Sequence, residues 1–128
     1  TLPTLLYIPG FDGTSLSPFL QFPSLSSRYN VLAVTLAKND RTTFKTYRDL
    51  LLTLLECLDD VYIVGESFGC LISLCLKGCD NIKGITLVNP ATSYACSPLK
   101  FYFEELVGET FWGYNIKLMG LFKLLKDE

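Results

Sequence analysis

The chain has 128 residues, enough for one domain, and carries a net charge of −2 with no histidine. Hydrophobic residues make up 49% of it and charged residues 19%, which excludes a disordered chain, and without a basic run there is no electrostatic basis for binding nucleic acid. Because histidine is absent, histidine-ligated metal sites are excluded, and any general base that works near neutral pH must come from elsewhere.

Four short apolar runs alternate with segments of helical length. The runs are rich in valine, isoleucine and leucine without polar alternation, which is typical of strands buried on both faces of a parallel sheet. They cover Leu5–Ile8, Val31–Leu36, Val61–Val64 and Ile85–Val88. Between them, Leu16–Ser27 is a weak helix candidate with two prolines, whereas Thr43–Leu58 and Phe68–Lys77 have helical patterns. This order predicts an α/β fold with a doubly wound, mostly parallel sheet.

The third predicted strand runs directly into the pentapeptide GESFG at residues 65–69, and a helix follows. This is the G-x-S-x-G pattern in the strand–turn–helix setting of a nucleophile elbow. Side chains two residues before and after Ser67 would collide in so sharp a turn, which explains Gly65 and Gly69. Ser67 is therefore predicted to be the nucleophile of an acyl transfer. The alternative is a glycine-flanked turn serine without a catalytic role.

The loop after the first strand has the sequence PGFDG at residues 9–13. Acyl transfer needs two backbone N–H donors directed at the developing oxyanion, and their expected positions are Phe11 in this loop and Phe68 after the nucleophile. Gly10 and Gly13 would let the backbone approach the substrate closely. An ordinary turn is the alternative, in which Asp12 braces the loop through bonds to the backbone.

Residues after Pro90 have a different character, and no further strand is predicted there. Seven aromatic residues fall between positions 101 and 122. We therefore divide the chain into a core, residues 1–97, and the start of a helical lid, residues 98–128. Phe111 and Trp112 are predicted to line an acyl-chain site. The alternatives are burial of these aromatics within a larger domain and a membrane-surface helix.

The cysteines have no disulfide-framework or zinc-site spacing. They are Cys57, Cys70, Cys75, Cys79 and Cys96. They are predicted to be small packing residues in a reducing compartment, with redox or metal roles as the alternative. No apolar run is long enough to span a membrane, and from the sequence we expect neither a signal peptide nor a transit peptide within these residues. Since the chain starts at Thr1, we expect it to be a piece of a longer protein.

Four stretches within residues 1–95 carry a resemblance to known proteins: LLYIPGFDG (5–13), NDRTTF (39–44), YIVGESFG (62–69) and LVNPATSY (87–94). They resemble α/β-hydrolases. More narrowly, they are similar to the plastid esterase/lipase/thioesterase-type acyltransferases, the phytyl ester synthase and diacylglycerol acyltransferase-like proteins. Cys70 stands where the family pattern leads us to expect glycine, and Glu66 where aspartate is common. For Asp40 and Arg41 of the NDRT stretch we favour a loop ion pair beside a helix N-cap at Thr42 or Thr43 over a ligand-binding role.

The resemblance implies the N-terminal half of an α/β-hydrolase fold that acts on a lipid acyl ester. It further implies phytol or diacylglycerol as the alcohol acceptor, and a plastid location with peripheral association to a membrane or lipid droplet. We expect no cofactor and no metal. The acid and the histidine of the triad follow the serine on later strands, and Asn89 after the fourth strand is not an acid. This chain alone is therefore predicted to be catalytically silent. A non-catalytic binding module is the alternative, whereas Ser67 in place of aspartate argues against epoxide hydrolase or dehalogenase chemistry.

Overall fold

A computed structural model of the chain describes residues 1–10, 12–37 and 40–90. It contains the strands β1 (Thr4–Ile8), β2 (Asn30–Ala33), β3 (Val61–Glu66) and β4 (Ile82–Val88). Between them lie the helices α1 (Phe22–Leu25), α2 (Phe44–Leu55) and α3 (Gly69–Cys75), and a short 3-10 helix at Phe19–Gln21 precedes α1. The alternation of strands and helices predicted from the sequence is confirmed.

The four strands form one parallel sheet in the order β2-β1-β3-β4. β1 is central and pairs on one side with β2 and on the other with β3, so that Leu5 lies between Val31 and Tyr62. The chain leaves β1 toward β2 and then crosses back to β3 on the opposite side. This reversal confirms a doubly wound sheet, and it opens a crevice at the carboxyl ends of β1 and β3, where such sheets bind ligands.

The hydrophobic core lies between the sheet and the helices α2 and α3. Alternate residues of β1 and β3 face these helices, because successive strand side chains point to opposite faces. The fully buried members of this core include Leu6, Ile8, Ile63, Leu55 and Ile72. On the opposite face, Tyr7 makes an edge-to-face ring contact with Phe22 of α1 at 6.0 Å.

The sequence predicts strands that are buried on both faces, and of the described strands only β1 is buried in this way. Every residue of β1 is buried, whereas β3 alternates between buried and more exposed positions. β2 is exposed or half-buried along its whole length, and β4 is nowhere fully buried. The prediction of burial on both faces is therefore wrong for β2 and β4, the two outer strands of the described sheet.

Several elements are shorter than the sequence pattern predicts. β2 ends at Ala33, although the Val34 N–H still donates to the Tyr7 carbonyl of β1 at 3.0 Å; the Leu36 N–H then donates to the Gly13 carbonyl at 2.8 Å. α2 ends at Leu55, after which Leu58 N–H bonds three residues back instead of four. The weak helix candidate at 16–27 is reduced to single turns, consistent with its two prolines. Within the part of the chain that is described, no helix combines the length and apolar character needed to cross a bilayer.

The start of α2 settles the roles of the residues around Asp40. Thr43 is the N-cap, and its hydroxyl accepts the Thr46 N–H at 3.1 Å. Asp40 accepts the Thr42 N–H at 2.6 Å, and its bonds to Thr42 hold the pKa of the carboxyl below its ordinary value. The Arg41 guanidinium donates to the backbone carbonyl of Asp40 at 3.2 Å. The cap is thus confirmed, but the predicted ion pair is replaced by a bond to the backbone.

Candidate active site

Ser67 lies in the turn between β3 and α3, with a φ of 51°. A non-glycine residue in this left-handed region costs about 1–3 kcal/mol, so its surroundings must hold it there. The Ser67 N–H donates to the Val88 carbonyl of β4 at 2.9 Å, and the Ser67 carbonyl accepts the Cys70 N–H at 3.1 Å. The backbone of Ser67 is therefore held by hydrogen bonds at both its N–H and its carbonyl.

The two glycines that flank Ser67 are in close contact with neighbouring backbone. A Cβ on Gly65 would lie 2.3 Å from Ser73 Oγ and 2.8 Å from the Gly69 carbonyl oxygen. A Cβ on Gly69 would lie 2.3 Å from the carbonyl oxygen of Ile8 and 2.5 Å from that of Pro9. Only hydrogen fits at either position, because real Cβ atoms do not approach other atoms so closely.

The loop after β1 lies against Ser67. We call residues 9–18 the β1 loop; Phe11 within it lies outside the described residues. A Cβ on Gly10 would be 3.2 Å from Ser67 Cβ and 3.8 Å from Ser67 Oγ, so this loop passes directly beside the serine hydroxyl. The Gly13 N–H closes a turn on the Gly10 carbonyl at 3.1 Å, with Gly13 at a φ of 64°. Gly10 is thus next to Ser67, whereas Gly13 shapes the loop.

Asp12 and Thr14 brace the exposed part of the β1 loop. The Thr14 hydroxyl donates to the Asp12 carboxylate and accepts the Leu16 N–H at 3.3 Å. Among the described residues, Asp12 therefore bonds to a side chain, where a bond to the backbone was predicted. Its exposed position and its use in this local bond assign it a structural role.

Phe68 joins the turn to helix α2. Its ring is 8% exposed and contacts the ring of Phe44 edge to face, with centroids 5.9 Å apart. Its backbone enters the first turn of α3 with helical dihedral angles. Burial of the ring fixes the peptide unit that follows Ser67, which is where the sequence places one oxyanion donor.

Cys70 lies beneath the turn, where the family pattern leads us to expect glycine. It is fully buried, and its thiol donates to the Gly65 carbonyl at 3.1 Å and lies 3.6 Å from the Val88 carbonyl. Burial raises the pKa of this thiol, which keeps it protonated. A thiol is small enough to fit there and supplies a donor that glycine lacks.

The other described cysteines behave differently. Cys57 and Cys75 are exposed and Cys79 is half-buried, so the packing interpretation is confirmed for Cys70 but wrong for the first two; Cys96 lies outside the described residues. All four described cysteines are free thiols. Over residues 1–10, 12–37 and 40–90, no group of acidic, cysteine or histidine side chains is arranged to hold a metal ion.

Glu66 makes contacts that sequence reasoning did not foresee. The Tyr7 hydroxyl donates to Glu66 Oε2, and the Ser17 hydroxyl donates to Glu66 Oε1 at 3.0 Å. Burial and the neighbouring Glu66 raise the pKa of Tyr7, so the phenol stays protonated and remains a donor. The sequence contained one hint: Glu66 is a charged residue at the end of an apolar strand, where a carboxylate needs hydrogen-bond donors.

An open apolar groove of about 430 Å³ lies away from Ser67. It is formed by the end of β2 and by α2, with Leu32, Leu36 and Leu50 in its lining. Neither Ser67 nor Gly10 contributes to it. The groove therefore does not identify the acyl-chain site, and the residues predicted to line that site, Phe111 and Trp112, lie outside the described residues.

Comparisons with known proteins agree with this architecture. Phytyl ester synthase 1, chloroplastic, of Arabidopsis thaliana is 32% identical over 113 residues, and phytyl ester synthase 2, chloroplastic, of the same plant is 33% identical over 101 residues. These alignments cover 77% and 70% of the chain. The chain spans only about 15% and 14% of the length of these relatives. No protein-family model matches.

The fold itself has a counterpart among solved structures. N-formylmaleamic acid deformylase from Pseudomonas putida superimposes with a TM-score of 0.60 over 70% of the chain and 39% of its own length, at 20% identity. At that identity the likeness concerns the fold alone. The chain therefore has an α/β-hydrolase fold, and in sequence it resembles the phytyl ester synthases over most of its length.

Proposed function

We propose that this chain supplies the nucleophile and the oxyanion donors of an enzyme that transfers acyl groups from lipid esters through an acyl-serine. The observation that carries the proposal is Ser67 held at a φ of 51° at the sheet's carboxyl edge, with Gly10 packed beside its side chain. A strained serine between a strand and a helix is costly to maintain, and in this setting the strain presents Oγ to a substrate.

In the proposed reaction, Ser67 Oγ attacks the carbonyl carbon of the ester. The hydroxyl proton passes to a general base, and the carbonyl oxygen takes up the negative charge between the N–H groups of Phe68 and Phe11. Collapse of the tetrahedral intermediate expels the alcohol, which takes a proton, and leaves an acyl-serine. Because the 128 residues contain no histidine, the base would come from outside this chain.

The acceptor decides between hydrolysis and acyl transfer. Water returns a free fatty acid, whereas an alcohol returns a new ester and regenerates the same serine. Both relatives are named phytyl ester synthases and chloroplastic. On that basis we propose phytol as the acceptor and the plastid as the location. The resemblance to diacylglycerol acyltransferase-like proteins adds diacylglycerol as a second proposed acceptor, and peripheral association with a membrane or lipid droplet.

A non-catalytic binding module is the second candidate, since the chain contains no histidine, the residue that usually acts as the base for a catalytic serine. Both candidates predict a folded turn at Ser67, but only the enzyme predicts covalent chemistry there. A fluorophosphonate probe distinguishes them, because it reacts with activated serines.

The decisive experiment labels the intact protein that carries this chain with a fluorophosphonate. We expect labelling of the wild type, loss of labelling in Ser67→Ala, and normal labelling in the exposed control Ser24→Ala. The 128-residue chain by itself should stay unlabelled. Equal labelling of wild type and Ser67→Ala would exclude Ser67 as the nucleophile, and an unlabelled, folded wild type would favour the binding module.

The aromatic segment after residue 97 is proposed to cover the acyl chain. Replacing Phe111 and Trp112 together by alanine should reduce turnover of long-chain esters while short-chain esters are still cleaved. A stable double variant with unchanged chain-length preference would contradict this proposal.

A further inference from the structure

Glu66, the residue before Ser67, lies where three parts of the fold meet. It is half-buried, and its two carboxylate oxygens accept hydrogen bonds from two hydroxyl groups. Tyr7 lies on the central strand β1 and is 2% exposed, while Ser17 is exposed near the end of the β1 loop. We call these three residues the Glu66 link.

The link is not needed to hold the sheet together. β1 and β3 already pair along five residues, from Thr4 opposite Val61 to Ile8 opposite Gly65. A bond between Tyr7 and Glu66 adds little to that ladder. The bond from Ser17, which is 49 residues away in sequence, instead joins the β1 loop to the residue that precedes the nucleophile.

The β1 loop has few other described anchors. One is its internal turn, in which Gly13 bonds to Gly10, and another is the bond from the Leu36 N–H to the Gly13 carbonyl. Both act near the start of the loop. Without the bond between Ser17 and Glu66, the part of the loop after Gly13 would have no described hydrogen bond to β3, and the loop as a whole would be held less tightly against Ser67.

Building on the proposed function, we infer that Glu66 is a positioning residue that holds the β1 loop against Ser67 through Ser17, while Tyr7 fixes the Glu66 carboxylate. Oxyanion donors act only when they lie close to the developing charge, and losing one donor costs roughly 10²–10³-fold in rate. A loosened loop retains its donors but misplaces them. We therefore expect a variant that lacks the Glu66 link to have a kcat about 10-fold lower than the wild type, with little change in KM.

The Glu66 link depends on the hydrogen bonds to Glu66 and not on the negative charge of its carboxylate. A carboxylate beside a developing oxyanion is unfavourable in itself, and its two hydroxyl partners reduce that effect. Glutamine has the same shape, and hydroxyl groups can either donate or accept. Glu66→Gln should therefore retain a kcat near the wild-type value, whereas Glu66→Ala should not.

The test measures kcat and KM of the intact protein on a short-chain p-nitrophenyl ester, with thermal unfolding recorded for each variant. Glu66→Ala and Ser17→Ala should each lower kcat, and the double variant should be no slower than Glu66→Ala alone, because both remove the same bond. Matched controls are Glu56→Ala at the exposed end of α2 and Ser15→Ala within the loop; both should behave as wild type. Ser17→Ala keeps the test valid if Glu66→Ala fails to fold, because Ser17 is exposed.

Hydrogen exchange gives a second measurement that does not depend on activity. The amides of Gly13 and Leu16 are hydrogen-bonded within the loop and should exchange faster in Ser17→Ala. An inactive wild type would refute the proposed function. An active wild type would overturn the inference if its Ser17→Ala variant kept its kcat or showed no faster exchange at Gly13 and Leu16, and so would a Glu66→Gln variant as slow as Glu66→Ala.

Discussion

Replacing Gly65 by alanine tests whether the tight packing under Ser67 is real. The new methyl carbon would lie 2.3 Å from Ser73 Oγ, 2.8 Å from the Gly69 carbonyl oxygen and 3.0 Å from the Gly69 carbonyl carbon. Two of these neighbours are backbone atoms and cannot rotate away. Inserting a methyl group into such packing costs about 1–3 kcal/mol, which lowers Tm by roughly 5–20 °C in a domain of this size.

A double variant separates the clash with the Ser73 hydroxyl from the clash with the Gly69 backbone. Ser73→Ala removes the hydroxyl that lies closest to the new methyl group, but it also removes the bond from Ser73 Oγ to the Gly69 carbonyl at 2.7 Å. That bond contributes about 1 kcal/mol. In the Gly65→Ala/Ser73→Ala double variant the hydroxyl clash is absent, so the combined loss should be smaller than the sum of the single losses by at least about 0.5 kcal/mol.

Urea unfolding followed by far-UV circular dichroism measures these free energies. Gly84→Ala is the matched control, because Gly84 also lies in a parallel strand but its added Cβ would meet only the Tyr62 ring, at 3.2 Å. An aromatic ring can move, and alanine restricts the unfolded chain, so we expect a change within about 1 kcal/mol in either direction. If Gly65→Ala is as stable as Gly84→Ala, or if the two single losses add fully, the steric argument is refuted.

Three further predictions concern the backbone and the start of α2. Ser67→Gly should be more stable than Ser67→Ala by about 1 kcal/mol, because glycine relieves the left-handed strain that alanine retains; equal urea midpoints would contradict the strain. Thr43→Ala should lose about 1 kcal/mol of stability while Thr43→Ser, which keeps the cap hydroxyl, should lose little. Bonds to Thr42 lower the pKa of Asp40 from its ordinary value of 3.8, so the stabilisation from this carboxylate is present above that pH and is lost as the pH falls through the lowered pKa. The stability difference between wild type and Asp40→Asn should therefore shrink below about pH 4, and a difference that stays constant from pH 6 to pH 2.5 would show that Asp40 does not titrate as inferred.

The sequence predicted the parts of this fold that depend on local pattern. Apolar runs located all four strands, and GESFG located the turn at Ser67, because glycine at both flanks is required by contacts inside that turn. The sequence did not predict the early end of β2. After that end, the Leu36 N–H bonds to the Gly13 carbonyl, a contact that local pattern does not reveal because the two residues are far apart in the chain.

The Glu66 link was missed for a related reason. Ser17 and Tyr7 belong to a loop and a strand that pattern analysis treats separately, and nothing in their own surroundings marks them as partners of Glu66. Their proximity follows from the pairing of β1 with β3 and from the path of the β1 loop. Side-chain bonds of this kind become predictable only after the sheet order is known.

Positioning and activation of the serine are separable in this chain. The position of Ser67 depends on the Val88 carbonyl of β4, on the close approach of Gly69 to the end of β1, and on Gly10 beside the side chain. All of these come from residues 1–90, and none requires a histidine. The proposed activation of Ser67 requires a general base, and the 128 residues contain no histidine to serve as one. The geometry of the turn can therefore be tested by stability measurements on this chain, whereas its chemistry can be tested only in the intact protein, where a base would meet a serine that is already in place.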